Sequence, residues 1–91
     1  MITVRVSDAY IIAFDGAVLE AFTGAQGQRI HVGHIKKIQI KTDKNGKHTL
    51  DIDTIGGFPW ITINEAAFAR MSELVEAVQK AATEFQAAQT P

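Results

Sequence analysis

The chain has 91 residues, 46% hydrophobic and 21% charged, with no cysteine and a formal net charge of −1. That is enough for one domain with a single core, and too few basic residues in balance for an ordinary nucleic-acid binder. The lack of cysteine excludes a disulfide framework and thiol chemistry, and no apolar run approaches the ~20 residues of a membrane span.

The start, Met1-Ile2-Thr3-Val4-Arg5, lacks the basic beginning and long apolar stretch of a signal peptide, and with no cysteine a reducing cytoplasm is the expected compartment. Ile2, Val4 and Val6 alternate with Thr3, Arg5 and Ser7, the period of a first strand. After the short turn Ser7-Asp8, Tyr10 to Phe14 is nearly continuous apolar, as expected of a strand covered on both faces. Asp15-Gly16 signals a hairpin, and a two-residue loop there would pair Ile12 with Leu19 and Phe14 with Ala17, with a third strand over 17–22. Thr23 to Gly27 reads as a flexible connector, and a fourth strand is predicted over 28–32.

Gly33-His34 turns the chain into a strand from Ile35 to Thr42, where Ile38 and Ile40 alternate with Lys37, Gln39 and Lys41. Leu50 and Ile52 alternate with Asp51 and Asp53 in the next strand, His48 to Ile55. Between them lies Asp43-Lys44-Asn45-Gly46-Lys47. A two-residue Asn-Gly loop would set Ile40 opposite Asp51, mixing core and solvent positions on one face. A three-residue loop, Lys44-Asn45-Gly46, pairs Ile40 with Leu50, Ile38 with Ile52, Gln39 with Asp51 and Lys37 with Asp53. It places Gly46 in the left-handed bulge position, and it is the register predicted.

The loop Gly56-Gly57-Phe58-Pro59 leads into a last strand, Trp60 to Ile63. As a four-residue loop it pairs Thr54 with Ile61 and Ile52 with Ile63, and sets Ile55 opposite Trp60 on the outer face with Phe58 at the tip. The pattern then changes period. Asn64 is a good N-cap, Glu65 suits the first turn, and Phe68, Met71, Leu74, Val75, Val78, Ala81, Ala82 and Phe85 make an apolar stripe. A helix over 65–85 is predicted, with 86–91 as a frayed tail. The predicted core is Ile12, Leu19, Ile38, Ile40, Leu50, Ile52, Ile61, Phe68, Leu74, Val75 and Val78.

Seven short strands followed by one amphipathic helix is the layout of the pleckstrin-homology superfold. Phe14-Asp15-Gly16-Ala17-Val18, Ile30-His31-Val32 leading through Gly33-His34-Ile35 into Lys36-Lys37-Ile38-Gln39-Ile40, and Trp60-Ile61-Thr62-Ile63 before the helix resemble bacterial PH-like domains. The resemblance covers nearly the whole chain and lies in apolar positions. It implies an α+β fold: a partly open antiparallel barrel or sandwich over 1–85, capped by the helix. It also implies a non-enzymatic scaffold that binds peptides, proteins or lipid headgroups, or associates with itself. Phosphoinositide-binding members carry several Lys and Arg around the first loop. Here that loop is Ser7-Asp8-Ala9 with only Arg5 nearby, and Asp8 has the wrong charge.

Two surfaces are candidates for function. Ile55, Phe58 and Trp60 form an apolar patch suited to a protein partner or a second copy of the chain, unless Trp60 folds under the helix or another loop as part of the core. Residues 28–48 hold Arg29, Lys36, Lys37, Lys41, Lys44 and Lys47 against Asp43 alone, a local net of +5, while the other three segments each come to −2. Lys36, Lys37, Lys41, Lys44 and Lys47 are therefore the alternative, an anionic membrane surface. Their plainer role is to solubilise strand faces and guard edges.

Enzymatic signals are weak. His31, His34 and His48 with Asp51 and Asp53 lack a metal-binding spacing, and His31 belongs on the wet face of its strand. Asp51 and Asp53 share a face, but cross-strand pairing with Gln39 and Lys37 accounts for them. Gly24-Ala25-Gln26-Gly27 is too short for a phosphate loop, and Ser7 and Ser72 have no histidine at a triad's spacing. No catalytic residue, metal or cofactor is assigned.

Overall fold

The computed structural model describes residues 1–23, 27–54, 57–58 and 61–89. Four strands come first: β1 (Ile2–Arg5), β2 (Ile11–Phe14), β3 (Val18–Phe22) and β4 (Gly27–His31). A 3-10 turn, Val32–His34, leads to β5 (Ile35–Thr42), β6 (His48–Thr54) and β7 (Ile61–Ile63). A second 3-10 turn, Glu65–Ala67, opens the helix α1 (Phe68–Gln89). The strands form two antiparallel meanders, β1-β2-β3-β4 and β5-β6-β7. No strand pairing closes them into a barrel among the described residues. One bond, from Asn64 N–H to Val6 O at 2.7 Å, ties a corner of the first sheet to the end of β7.

Inner-face residues of both sheets and the buried stripe of α1 make one core. Val4, Val6, Ile12, Phe14 and Leu19 meet Ile35, Ile38, Leu50, Ile52 and Ile61, with Met71, Leu74, Val75 and Val78 from the helix. Of the predicted core, Ile40 and Phe68 are only half-buried. Ile40 lies near the tip of the β5–β6 hairpin, and Phe68 lies at the start of α1. The helix runs to Gln89, four residues beyond the end expected from its apolar stripe. Asn64 has the extended backbone of a cap, but its side chain makes no capping bond; its carbonyl accepts from Ala67 N–H at 2.9 Å instead.

The central hairpin has the predicted register: Ile40 opposite Leu50, Ile38 opposite Ile52, Gln39 opposite Asp51 and Lys37 opposite Asp53. Asp43 holds the turn, its Oδ1 accepting from the Asn45 and Lys47 N–H groups at 2.8 and 2.9 Å. Gly46 has φ +83°.

Two other registers differ from expectation. In the first hairpin Phe14 pairs with Leu19 and Ile12 with Ala21, two residues from the predicted pairing. The turn is centred on Gly16-Ala17, because Asp15 stays in line with the strand and caps the loop from outside. Its Oδ1 accepts from Ala17 and Val18 N–H at 2.9 and 2.8 Å. In the last pair β7 sits four residues from the predicted position, with His48 opposite Ile63 and Leu50 opposite Ile61. Thr54–Ile61 and Ile52–Ile63 pairing is absent. β6 therefore projects beyond β7, and Phe58 from the connection packs half-buried against the core. Both shifts are even, so each strand keeps its apolar face inward.

β2 also departs from expectation. Ile12 and Phe14 point inward and are buried, but Ile11 on the outer side is 37% exposed. Ala13, on the same side as Ile11, is buried, so the second face of this strand is open at Ile11 alone.

Candidate functional site

Among the described residues, the β6–β7 register creates the one polar cluster that reaches the core. Thr42 at the end of β5 is opposite His48, and His48 is opposite Ile63, the last residue of β7. The chain then bends at Asn64, which brings Glu65 back over the imidazole. Thr42 Oγ1 lies 2.8 Å from His48 Nδ1, and Glu65 Oε2 lies 2.9 Å from Nε2. Phe68, one turn further on, stacks on the ring with centroids 4.1 Å apart and planes 26° from parallel. A carboxylate only accepts, so Nε2 carries the hydrogen of this bond; in the neutral ring Nδ1 then accepts from the Thr42 hydroxyl.

Hydroxyl, imidazole and carboxylate in line have the order of a nucleophile, its base and the group that orients the base. The environment suits a structural clamp better. His48 is the buried polar residue of the described chain, and both ring nitrogens are used inside the fold. No buried side-chain nitrogen or oxygen among the described residues lacks a partner. The cluster joins the three-stranded sheet to the start of the helix. Nothing in the local sequence signals His48 with Glu65, because their contact depends on a register that alternation leaves open.

The predicted lysine surface is spread over one hairpin. Lys36, Lys37, Lys44 and Lys47 are exposed and have no ion-pair partner among the described residues, while Lys41 Nζ sits 3.2 Å from Asp51 Oδ2. Gln39 Nε2 donates to the same oxygen at 3.2 Å. The Gln39 bond, followed by the Lys41 contact, lowers the Asp51 carboxyl below its ordinary 3.8. An open hollow of about 440 Å³ lies here, lined by Lys41, Lys47, Asp43 and Asp51 with two threonines. Its charges are mixed.

Of the predicted apolar patch, Ile55 and Trp60 lie outside the described residues, and Phe58 is half-buried against the core. His31 is also half-buried. Its Nδ1 accepts from Gly33 N–H at 2.9 Å, and its ring meets the edge of Phe85 at 5.0 Å, because α1 reaches over the end of β4. No three His, Asp or Glu side chains converge among the described residues.

One surface has no counterpart in the sequence-based expectations. On the outer side of the four-stranded sheet, Ile11 and Phe22 are directly opposite, and each is 37% exposed. The apparent two-sided run of β2 was the available signal, but it indicated that the position is apolar, not that it is open. Comparison with protein-family models, with curated proteins and with solved structures gives no match.

Proposed function

We propose that this chain is a PH-like interaction module without catalytic activity, acting through contact with another protein and most simply with a second copy of itself. A four-stranded and a three-stranded meander followed by a C-terminal helix supports the PH-like assignment. The observation that carries the functional reading is where the chemistry goes. His48 and Asp51 are held in internal pairs, whereas the large apolar side chains Ile11 and Phe22 stand exposed on the outer side of the first sheet.

Binding to an anionic membrane is the second reading, favoured by Lys36, Lys37, Lys44 and Lys47 of the central hairpin, which have no ion-pair partner within 4.0 Å among the described residues. Asp43, Asp51 and Asp53 interrupt that surface, which lowers its attraction for a negative plane. Two measurements separate the readings. Sedimentation of the purified chain is expected to show a mass that rises with protein concentration. Co-sedimentation with vesicles containing anionic lipid is expected to show no binding. A constant monomer mass together with vesicle binding that falls steeply with salt would reverse the conclusion.

A further inference from the structure

We propose that the outer face of β1–β4, centred on Ile11 and Phe22, is a homodimer surface, occupied by the same face of a second copy of this chain. The proposal rests on the self-association reading above and names its surface.

Four observations lead here. First, the register sets Arg5, Ile11, Phe22 and Gly27 in one row across the sheet, all on the outer side. Ile11 and Phe22 are the large apolar side chains that stand exposed in the described chain, apart from the terminal Met1. Second, β2 is apolar at all four positions, Ile11-Ile12-Ala13-Phe14, the composition of a strand covered twice. The core covers Ile12 and Phe14, and on the other side Ala13 is buried while Ile11 is left open.

Third, the aromatic side chain is held in place before any partner arrives. A Cβ on Gly27 would lie 3.2 Å from Phe22 Cδ1, so the ring rests over the glycine in the next strand. Beside it is a cleft of about 180 Å³ lined by Arg5, Asp8, Tyr10, Ile11 and Phe22, with room for a side chain from a facing surface.

Fourth, the charges at this cleft select the occupant. Arg5 and Asp8 have opposite sign, and neither has an ion-pair partner among the described residues. The face carries both charges, so a twofold axis passing between Arg5 and Asp8 sets each against its opposite on the other copy, and one patch supplies both halves of the match. This is the self-complementarity that an isologous interface requires. Four strands spaced ~4.8 Å apart and four to five residues long make a patch roughly 15 Å on a side. That is below the ~800 Å² per partner of a standard interface, so the dimer is weak and depends on concentration.

The test is sedimentation velocity on the full chain from about 10 µM to about 1 mM, a range suited to a weak dimer. The mass is expected to rise from the 9.9 kDa monomer toward twice that value. Phe22→Ser and Ile11→Thr should remain monomeric across the range with the circular dichroism spectrum of the parent. Arg5→Asp and Asp8→Arg should each weaken the dimer, and combining them in one chain should restore it. The restoration decides the matter even if Phe22→Ser fails to fold. A parent chain at 9.9 kDa throughout would overturn self-association itself. A parent that associates while the charge reversals change nothing would place the interface elsewhere and leave the module reading standing.

Discussion

Asp15 and Asp43 play the same part in two hairpins. Each keeps its backbone in line with a strand and turns one carboxylate oxygen onto loop N–H groups: Ala17 and Val18 for Asp15, Asn45 and Lys47 for Asp43. The Val18 bond, then the Ala17 bond, lowers the Asp15 carboxyl below its ordinary 3.8. Asp51 is lowered by Gln39 and Lys41. A carboxyl with a lowered native pKa stabilises the fold above the unfolded value. That contribution is lost as pH falls through the native pKa, because the unfolded state takes up protons first. Stability should therefore drop as pH is lowered below 3.8. The double variant Asp15→Asn/Asp51→Asn should flatten that drop, which urea unfolding between about pH 2 and about pH 5 would reveal. An equal slope in parent and variant would mean that other carboxylates govern the acid limb.

At the scale of elements, the strands are placed by alternation and the helix by one close approach. α1 packs on β5, the Val32–His34 turn and β1. Where it crosses the turn, a Cβ on Gly33 would come within 2.6 Å of Phe85 Cε1 and 3.2 Å of His31 Nδ1. Glycine is needed here for space; its φ is not in the left-handed region. Gly33→Ala must push the Phe85 ring aside and is expected to cost on the order of 1–3 kcal/mol, the range for overpacking a filled site. Thermal unfolding of Gly33→Ala beside Gly33→Ala/Phe85→Leu checks the cause. The smaller ring-free side chain should recover part of the loss, and no recovery would point away from the clash.

For the molecule as a whole, the His48 cluster joins the second sheet to the start of the helix. Its strength should come from burial and stacking more than from charge, since the His48 side chain is 11% exposed and that of Glu65 is 82% exposed. Removing the ring deprives Thr42 and Phe68 of a partner, so His48→Ala is expected to cost about 1–3 kcal/mol. Glu65→Ala should cost at most about 1 kcal/mol, as for exposed ion pairs. Denaturant midpoints give the order, and equal losses would assign the clamp to charge. The core covers the inner face of the first sheet and leaves Ile11 and Phe22 exposed on its outer side, where the proposed dimer would form.

The sequence by itself determined which face of each strand is apolar, the three-residue turn at Lys44-Asn45-Gly46 and the amphipathic helix. These follow from a period of two, from the demand for positive φ at Gly46, and from a period near 3.6, all local properties. Only the tertiary structure decided the β6–β7 register, since alternation leaves open registers that differ by an even number of residues. Such registers bury the same faces, so alternation cannot rank them. In β2–β3 the choice came from the Asp15 cap. In β6–β7 the observed pairing accompanies the packing of Phe58 and the reach of Glu65 to His48, contacts across the chain. The exposed pair of Ile11 and Phe22 was hidden for a related reason. An apolar run specifies what a strand tolerates on each side, and the arrangement of the other elements decides which side they cover.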